Sequence, residues 1–496
     1  MQNKIVKSNW IILFYLLYAL LSIFWGILYY TNESSDYFHI PSLIIFTLFV
    51  IIYFRVESIL NYKIYCYWLR PSYVLLFSLV VVNLQTILNV ILGYEKIGYY
   101  LGTIEYNDSF NQVYYLSLLA LLSFMCGNIS YRYRFNKSRV FFIDKKIYYI
   151  WIIITTLSFI MFVLNIDILS FVTGLNYKGS GAYDRVTSNS VKWETLFDTF
   201  LTICVTLMTL KNMQSSKKWT LANYVKGIPK ILFLITTIYL ILRLLSGDRG
   251  MALYTLMLYL YSYLYLSDVK IKLRYLIIVV VVGAFTMTLL NYVRGYGSNQ
   301  SFSEKITRGF NDISSNSFET ERSISPLTQE LAQSVNCNFI SVSDIEKGKT
   351  EFEYGKYNLS EILAGIPGSA SFSKKMLNID LYENSTTEYI TKSFYGKYYP
   401  IGLGTTAIAA IYLDFGGLGV IIIFFLIGVI FKYIDCQFIY KSIFSVVLFI
   451  LVIKLSSMAI YIPRSSFSWV LSRVIYISLF YLVLNSVFLL IKAKRK

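Results

Sequence analysis

Along most of this chain, apolar residues continue without alternation for roughly 18 to 23 positions at a time, enough to cross a hydrocarbon core of about 30 Å. In lipid such runs satisfy their backbone only as helices, and they lack the period-two alternation of barrel strands. The pattern predicts an all-α polytopic membrane protein. Spans fall near 10–30, 40–54, 72–93, 113–130, 147–165, 194–210, 231–245, 250–266, 275–293, 417–431, 442–461 and 470–490. The second is short for a full crossing and extends before Pro41 or after Arg55. The first follows Lys4 and Lys7 and ends in WGILYYTNESSDYF, without a small-residue cleavage site, so it reads as a retained helix.

The polar connections alternate in character. Every second one is basic: Lys4 and Lys7; Arg55, Lys63 and Arg70; RYRFNKSRVFFIDKK (132–146); five lysines in 211–230; Lys270, Lys272 and Arg274; Lys432 and Lys441; and the tail KAKRK. The positive-inside rule assigns these to the cytoplasm, together with both termini. The connections 31–39, 94–112, 166–193 and 294–401 then face outward, and the last holds 11 basic and 13 acidic residues. With both ends inside, the number of crossings is even. GLGTTAIAAIYL (402–413) is too short to span, so it enters and leaves on the outer face as a re-entrant or interfacial helix, and the Gly-rich DFGGLG (414–419) turns the chain into the next span. About twelve transmembrane helices are expected: nine in 1–293, a large extracytoplasmic loop in 294–401, and the re-entrant segment with three more in 402–496.

Composition agrees: 56% of the residues are hydrophobic and 15% charged, too few charges for a soluble chain of this length. The net charge of +17 lies on the inner connections, so anionic lipid explains it better than nucleic acid. Five scattered cysteines suggest neither a disulfide framework nor a zinc site, and the single histidine, His39, excludes a multi-histidine metal site within the chain. No cofactor is expected.

Several charges sit where lipid should exclude them. GDRG (247–250) places Asp248 and Arg249 at the outer end of the seventh span, with Arg243 in the same span. Arg294 closes the ninth span, Lys454 lies inside LFILVIKLSSMAIYI (448–462), Arg464 follows in IPRSS, and Arg473 begins the last span. Arg185 lies beside Asp184 in the outer loop GSGAYDRVTSNS (179–190). Alone, each is explained by snorkelling, a helix cap, a hairpin turn or a structural ion pair. Together they put cations on the outer side with few obvious counter-charges. Guanidinium groups bind phosphate oxygens bidentately and oppose the charge on a departing diphosphate. A lipid diphosphate is the ligand this pattern suits.

The large outer loop adds an expected amphipathic helix in SPLTQELAQSVNCNFI (325–340), with Ser325 as cap, Pro326 in the first turn, and Leu327, Leu331 and Val335 spaced by four. Tyrosine, 45 in all, crowds the loop. A membrane belt accounts for the helical tyrosines, and sugar contact suits those in the loop.

Four stretches resemble the bacterial oligosaccharide repeat-unit polymerases, the O-antigen polymerase (Wzy-type) family. LLSGDRGMAL (244–253) is similar to the family's small-Gly-x-Arg-Gly turn between two spans, and YDRV (183–186) lies in an earlier outer loop. YGKYNLSEILAGIPGS (354–369) resembles a loop segment ending in Ile-Pro. GLGTTAIAAIYLDFGGLGVIIIFFLIG (402–428) looks like the family's Gly-rich lead into Tyr-x-x-Phe-Gly-x-x-Gly and a helix. The repeated arginine-to-glycine spacing of some members does not follow the outer arginines here.

The resemblance implies a membrane-embedded glycosyltransferase of the plasma membrane. It would act on oligosaccharide repeat units carried by undecaprenyl diphosphate at the outer face, in O-antigen or capsule synthesis, with membrane lipid, a chain-length regulator and a flippase as partners. Carried onto this chain, Arg249, Asp248 and Arg185 are the catalytic candidates. Arg294 joins them by carry-over as a candidate for holding the lipid diphosphate, and Arg243, Lys454, Arg464 and Arg473 are candidates for the same role on charge placement alone. Related ligases use an outer-loop histidine as base, but His39 precedes the second span, which leaves Asp184, Asp248 or Glu388. The competing readings are a flippase for the same lipid, an O-antigen ligase of shared architecture, and an envelope scaffold.

Overall fold

The computed structural model describes residues 2–31, 38–65, 67–93, 109–132, 145–166, 189–214, 219–246, 249–267, 328–366, 368–377, 379–396, 402–441 and 445–494. The regular structure among them is helical. In the first half of the chain it comprises α1 (Gln2–Thr31), α2 (His39–Leu60), α3 (Pro71–Ile91), α4 (Phe110–Ser130), α5 (Lys145–Leu164), α6 (Asn189–Met213), α7 (Leu221–Gly227), α8 (Lys230–Leu245) and α9 (Arg249–Leu266). Residues 328–396 contribute α10 (Asn336–Glu346), α11 (Lys356–Ala364) and α12 (Thr386–Tyr395), and α13 (Ala407–Tyr440), α14 (Val446–Met458) and α15 (Phe467–Lys494) follow. Among the described residues, eight helices are long and apolar enough to cross a membrane, or nine if α7 and α8 form one bent span. The chain is therefore a multi-pass membrane protein.

The expected spans differ from these helices in instructive ways. The second extends over 22 residues, because helix continues past Arg55 to Leu60. The seventh is preceded by α7 at an angle of 102°, and the break falls at Ile228–Pro229, where proline holds the preceding residue extended. The eleventh ends at Met458 and passes into a short 3₁₀ turn, Ile462–Arg464, built around Pro463. The expected span 275–293 lies outside the described residues. At the expected break after 402–413, α13 carries a non-helical Gly416 (φ 64°, ψ −165°), a conformation open essentially to glycine alone.

Helix α4 is the hub. It has no charged residue, and 94% of its apolar window is buried, against 17% for α1 at the rim. A helix apolar all round belongs inside a bundle. It crosses α13 at backbone contact: a Cβ on Gly127 would stand 1.9 Å from the Phe425 carbonyl oxygen, and one on Gly428 would stand 2.2 Å from that of Phe124. Small residues permit this approach, and association in lipid depends on such packing because hydrophobic burial drives little there. His39 pins α2 to the same hub: its ring bonds Asn111 Oδ1 at 2.6 Å, and its carbonyl accepts from Tyr114.

At the end of the bundle away from the loop helices, four charges are buried together. Arg70 Nη1 meets Glu57 Oε1 at 2.7 Å, Lys432 also binds Glu57, and Asp435 accepts from the Ser72 amide and hydroxyl at 3.1 and 2.5 Å. Arg70 Nε lies 3.5 Å from Asp435, and its guanidinium covers the Tyr73 ring. From sequence these read as charges of exposed connections; the fold turns two acids and two bases into a neutral core. Because they cancel, the positive bias of that side is unchanged.

In place of one amphipathic helix over 325–340, the described residues form a short turn Gln329–Ala332, a 3₁₀ turn Gln333–Val335 and α10, which is buried all round at 337–344; Ser325, Pro326 and Leu327 lie outside the described residues. It packs on α3 and α13 through polar links. Asn338 Nδ2 donates to Asn83 Oδ1 at 3.1 Å, and Thr406, the cap of α13, donates to Asn338 Oδ1.

Candidate functional site

The Gly416 break leaves the start of α13 free to meet the loop. Asp414, fully buried just before it, accepts from the amides of Tyr357 (3.2 Å) and Asn358 (2.8 Å) and from Asn358 Nδ2 (2.6 Å). A carboxylate here satisfies the orphan amides of α11 and opposes its positive helix end. Glu353 and Tyr354 add amide bonds to the carbonyls of Leu413 and Asp414. Two of the resemblance motifs, 354–369 and 402–428, are thereby bonded to each other.

One turn along α11, Glu361 is 7% exposed. Its Oε1 accepts from the Thr386 amide (3.2 Å) and hydroxyl (2.6 Å), and its Oε2 accepts from the Ser466 hydroxyl. Burial raises its pKa above the ordinary carboxylate value, those donors hold it back, and the Asp414 charge adds to the rise. Ser466 in turn accepts from the Trp469 amide at the start of α15. Ser468 donates to Asn358 Oδ1 at 2.5 Å, and Gly365 lies so close to Ser472 that a Cβ would stand 2.4 Å from its carbonyl oxygen. The loop helix is thus fastened at three places, once to the end of the IPRSS turn and twice to the first turns of α15.

That turn carries Arg464, half-buried, and its charge reaches the Cys337 thiol on α10, which burial pushes up to about 12 against the pull of Arg464. Arg473, one turn into α15, covers the Trp469 ring at 5.1 Å. Tyr461, just before the turn, packs edge-on against Tyr254 at 5.0 Å, so α9 and the arginine turn are neighbours. Arg249 is the first residue of α9.

The other sequence candidates divide in two. Arg185, Asp184, Asp248 and Arg294 lie outside the described residues, as does the side chain of Arg249. Arg243 and Lys454 are engaged by acids: Arg243 with Glu194, which also accepts from Tyr239 at 2.9 Å, and Lys454 with Asp198 at 2.8 Å. The counter-charges that seemed missing on this side are Glu194 and Asp198 on α6. Glu388 forms an i,i+4 pair with Lys392 at 3.2 Å on α12. Among the described residues no three histidine, cysteine, aspartate or glutamate side chains gather as metal ligands would.

Sequence reasoning missed Asn358, Glu361, Asp414 and Ser466. Their signal was present: each polar residue stands inside an apolar or Gly-rich motif already singled out. Their partners are 25 to 110 positions away, and no local spacing predicts that.

Arg464 and Arg473, both partly exposed, lie on the turn and helix that the carboxylate–hydroxyl lattice ties to the loop, and that loop exposes tyrosines such as Tyr354 and Tyr382. It can hold an anion and orient a polyhydroxyl ligand. No curated protein and no solved structure matches the chain. A family model described as O-antigen polysaccharide polymerase Wzy matches residues 11–496, nearly the whole sequence, and the chain belongs to that family.

Proposed function

We propose that this protein lengthens O-antigen or capsular glycan at the outer face of the bacterial plasma membrane, with both termini in the cytoplasm. The donor is a growing glycan on undecaprenyl diphosphate. The acceptor is the non-reducing hydroxyl of the next lipid-linked repeat unit. The bond from the anomeric carbon to diphosphate oxygen breaks, and the leaving undecaprenyl diphosphate keeps the electron pair. The acceptor oxygen forms the new glycosidic bond and releases its proton to a carboxylate.

In this reading Arg249 and Arg185 contact the diphosphate and glycan, joined by Arg294, Arg464 and Arg473. Asp248, beside Arg249, takes the acceptor proton, with Asp184 as the alternative. Arginines held in place oppose charge as it develops on the leaving group, an effect of about 3–4 kcal/mol per well-placed donor. Glu361 and Asp414 are positioning residues. Glu361 holds the loop against the arginine turn, and Asp414 holds it against the start of α13. The observation that carries the reading is this coupling: the loop motif, the Gly-rich motif and the Arg464 turn share one hydrogen-bond lattice, in a chain that belongs to a polymerase family.

The test is purified protein given lipid-linked repeat units as the sole sugar source. A ladder of longer glycans is expected. A flippase leaves the units unlengthened, and a ligase requires a different acceptor. In cells, deletion of the gene should remove long chains and leave one-unit species.

A further inference from the structure

Below the Gly416 break, α1, α4 and α13 leave a groove of about 440 Å³ on the bundle's rim, lined by Ser22, Gly26, Tyr29, Leu119, Gly417 and Ile421 among others. That is within the roughly 300–1,000 Å³ of ordinary ligand sites. The lining is almost wholly apolar, and the flanking residues Ile23, Ile27 and Leu418 are each more than half exposed. In a membrane-spanning bundle such exposure means contact with lipid.

At the end nearest the loop the groove is lined by tyrosines. There Tyr29 donates its hydroxyl to Tyr412 at 3.1 Å, and the Tyr29 ring closes over Gly417, 3.2 Å from where its Cβ would be. Tyr412 is two residues from Asp414 and packs edge-on against Phe352 of the loop. The groove therefore leads from the lipid-facing rim to the loop junction. Gly26 holds it open: a Cβ there meets nothing within 4 Å.

We infer that this groove seats the polyprenyl chain of the lipid-linked substrate, with its diphosphate end toward the loop junction. The inference rests on the proposed function for the identity of the lipid. An apolar channel open to the bilayer admits hydrocarbon, and its tyrosine end, joined through Tyr412 and Phe352 to the loop, suits a lipid whose head is worked on there. A phospholipid tail would fit the same walls without needing that alignment.

The test is photo-cross-linking of the full-length protein with undecaprenyl diphosphate carrying a diazirine in its chain, read by mass spectrometry. Label is expected in residues 22–31 and 417–421. Excess unlabelled undecaprenyl diphosphate should displace it, and excess phosphatidylglycerol should not. Gly26→Trp, whose Cβ would have open space and whose indole would occupy the groove, should cut that label at least five-fold while thermal unfolding stays unchanged. Gly26→Ala should keep it. Label elsewhere, equal displacement by phosphatidylglycerol, or unchanged label in folded Gly26→Trp overturns the inference. If Gly26→Trp unfolds, the location and competition of label in the unaltered protein decide. Because the readout is binding, failure of the polymerase assay is a separate result.

Discussion

Lys454 Nζ lies 2.8 Å from Asp198 Oδ2, two side chains 256 positions apart and both nearly out of contact with solvent. Removing one partner leaves the other charge buried alone. Lys454→Met and Asp198→Asn should each destabilise the protein by about 3–5 kcal/mol, and the pair Lys454→Met with Asp198→Leu should recover most of it. Unfolding in detergent measures this. A recovered double variant that still lengthens glycan would show the pair to be architecture rather than a diphosphate ligand.

Arg464 should behave differently. Arg464→Ala should lower glycan lengthening about 10²-fold or more, in line with loss of one preorganised donor. Arg464→Lys should rescue little, because an ammonium lacks the planar fork. Equal activity in all three proteins would remove Arg464 from the site.

Glu361 makes stability depend on pH. Its folded pKa is raised above the unfolded value, so the folded state holds the proton more tightly. The stabilisation this brings is fullest below the unfolded pKa and is lost as pH rises through the folded one. Thermal unfolding of the wild type should therefore fall over that interval, and Glu361→Gln should flatten it. An unchanged pH profile in the variant would dissociate Glu361 from the effect.

The α4–α13 crossing leaves no room for a side chain. Gly127→Ala and Gly428→Ala should each cost about 1–3 kcal/mol, and leucine at either position more, because the obstacle is a carbonyl rather than a flexible tip. Gly416→Ala should cost about 1–3 kcal/mol through its backbone conformation, and should also loosen the loop junction. Native gel mobility and unfolding curves together read both effects.

Much of the bundle was legible because lipid imposes a length and an apolarity on each helix, and those are local properties. The break at Gly416 was legible for the same reason: Gly-Gly between two apolar pieces has few other uses. The pairing of charges was not. Arg243 and Lys454 read as uncompensated because Glu194 and Asp198 belong to another helix, and only packing brings them together. Glu361 looked like an ordinary loop acid until its partners at 386 and 466 closed around it. The spacing of apolar residues anticipated an amphipathic helix over 325–340, but it could not foresee that α10 would be buried all round at 337–344, with Asn338 a polar peg between Asn83 and Thr406.

The buried quartet of Glu57, Arg70, Lys432 and Asp435 has a consequence for biogenesis. Its first half is synthesised more than 360 residues before its second. At about 5–20 residues per second, the early helices wait roughly 20–70 s in the bilayer before Lys432 and Asp435 emerge from the ribosome. Until then Glu57 and Arg70 have only each other. A nascent chain truncated before α13 should thus be a target for membrane quality control, and the end of the chain from α13 onward acts as the clasp that closes its beginning.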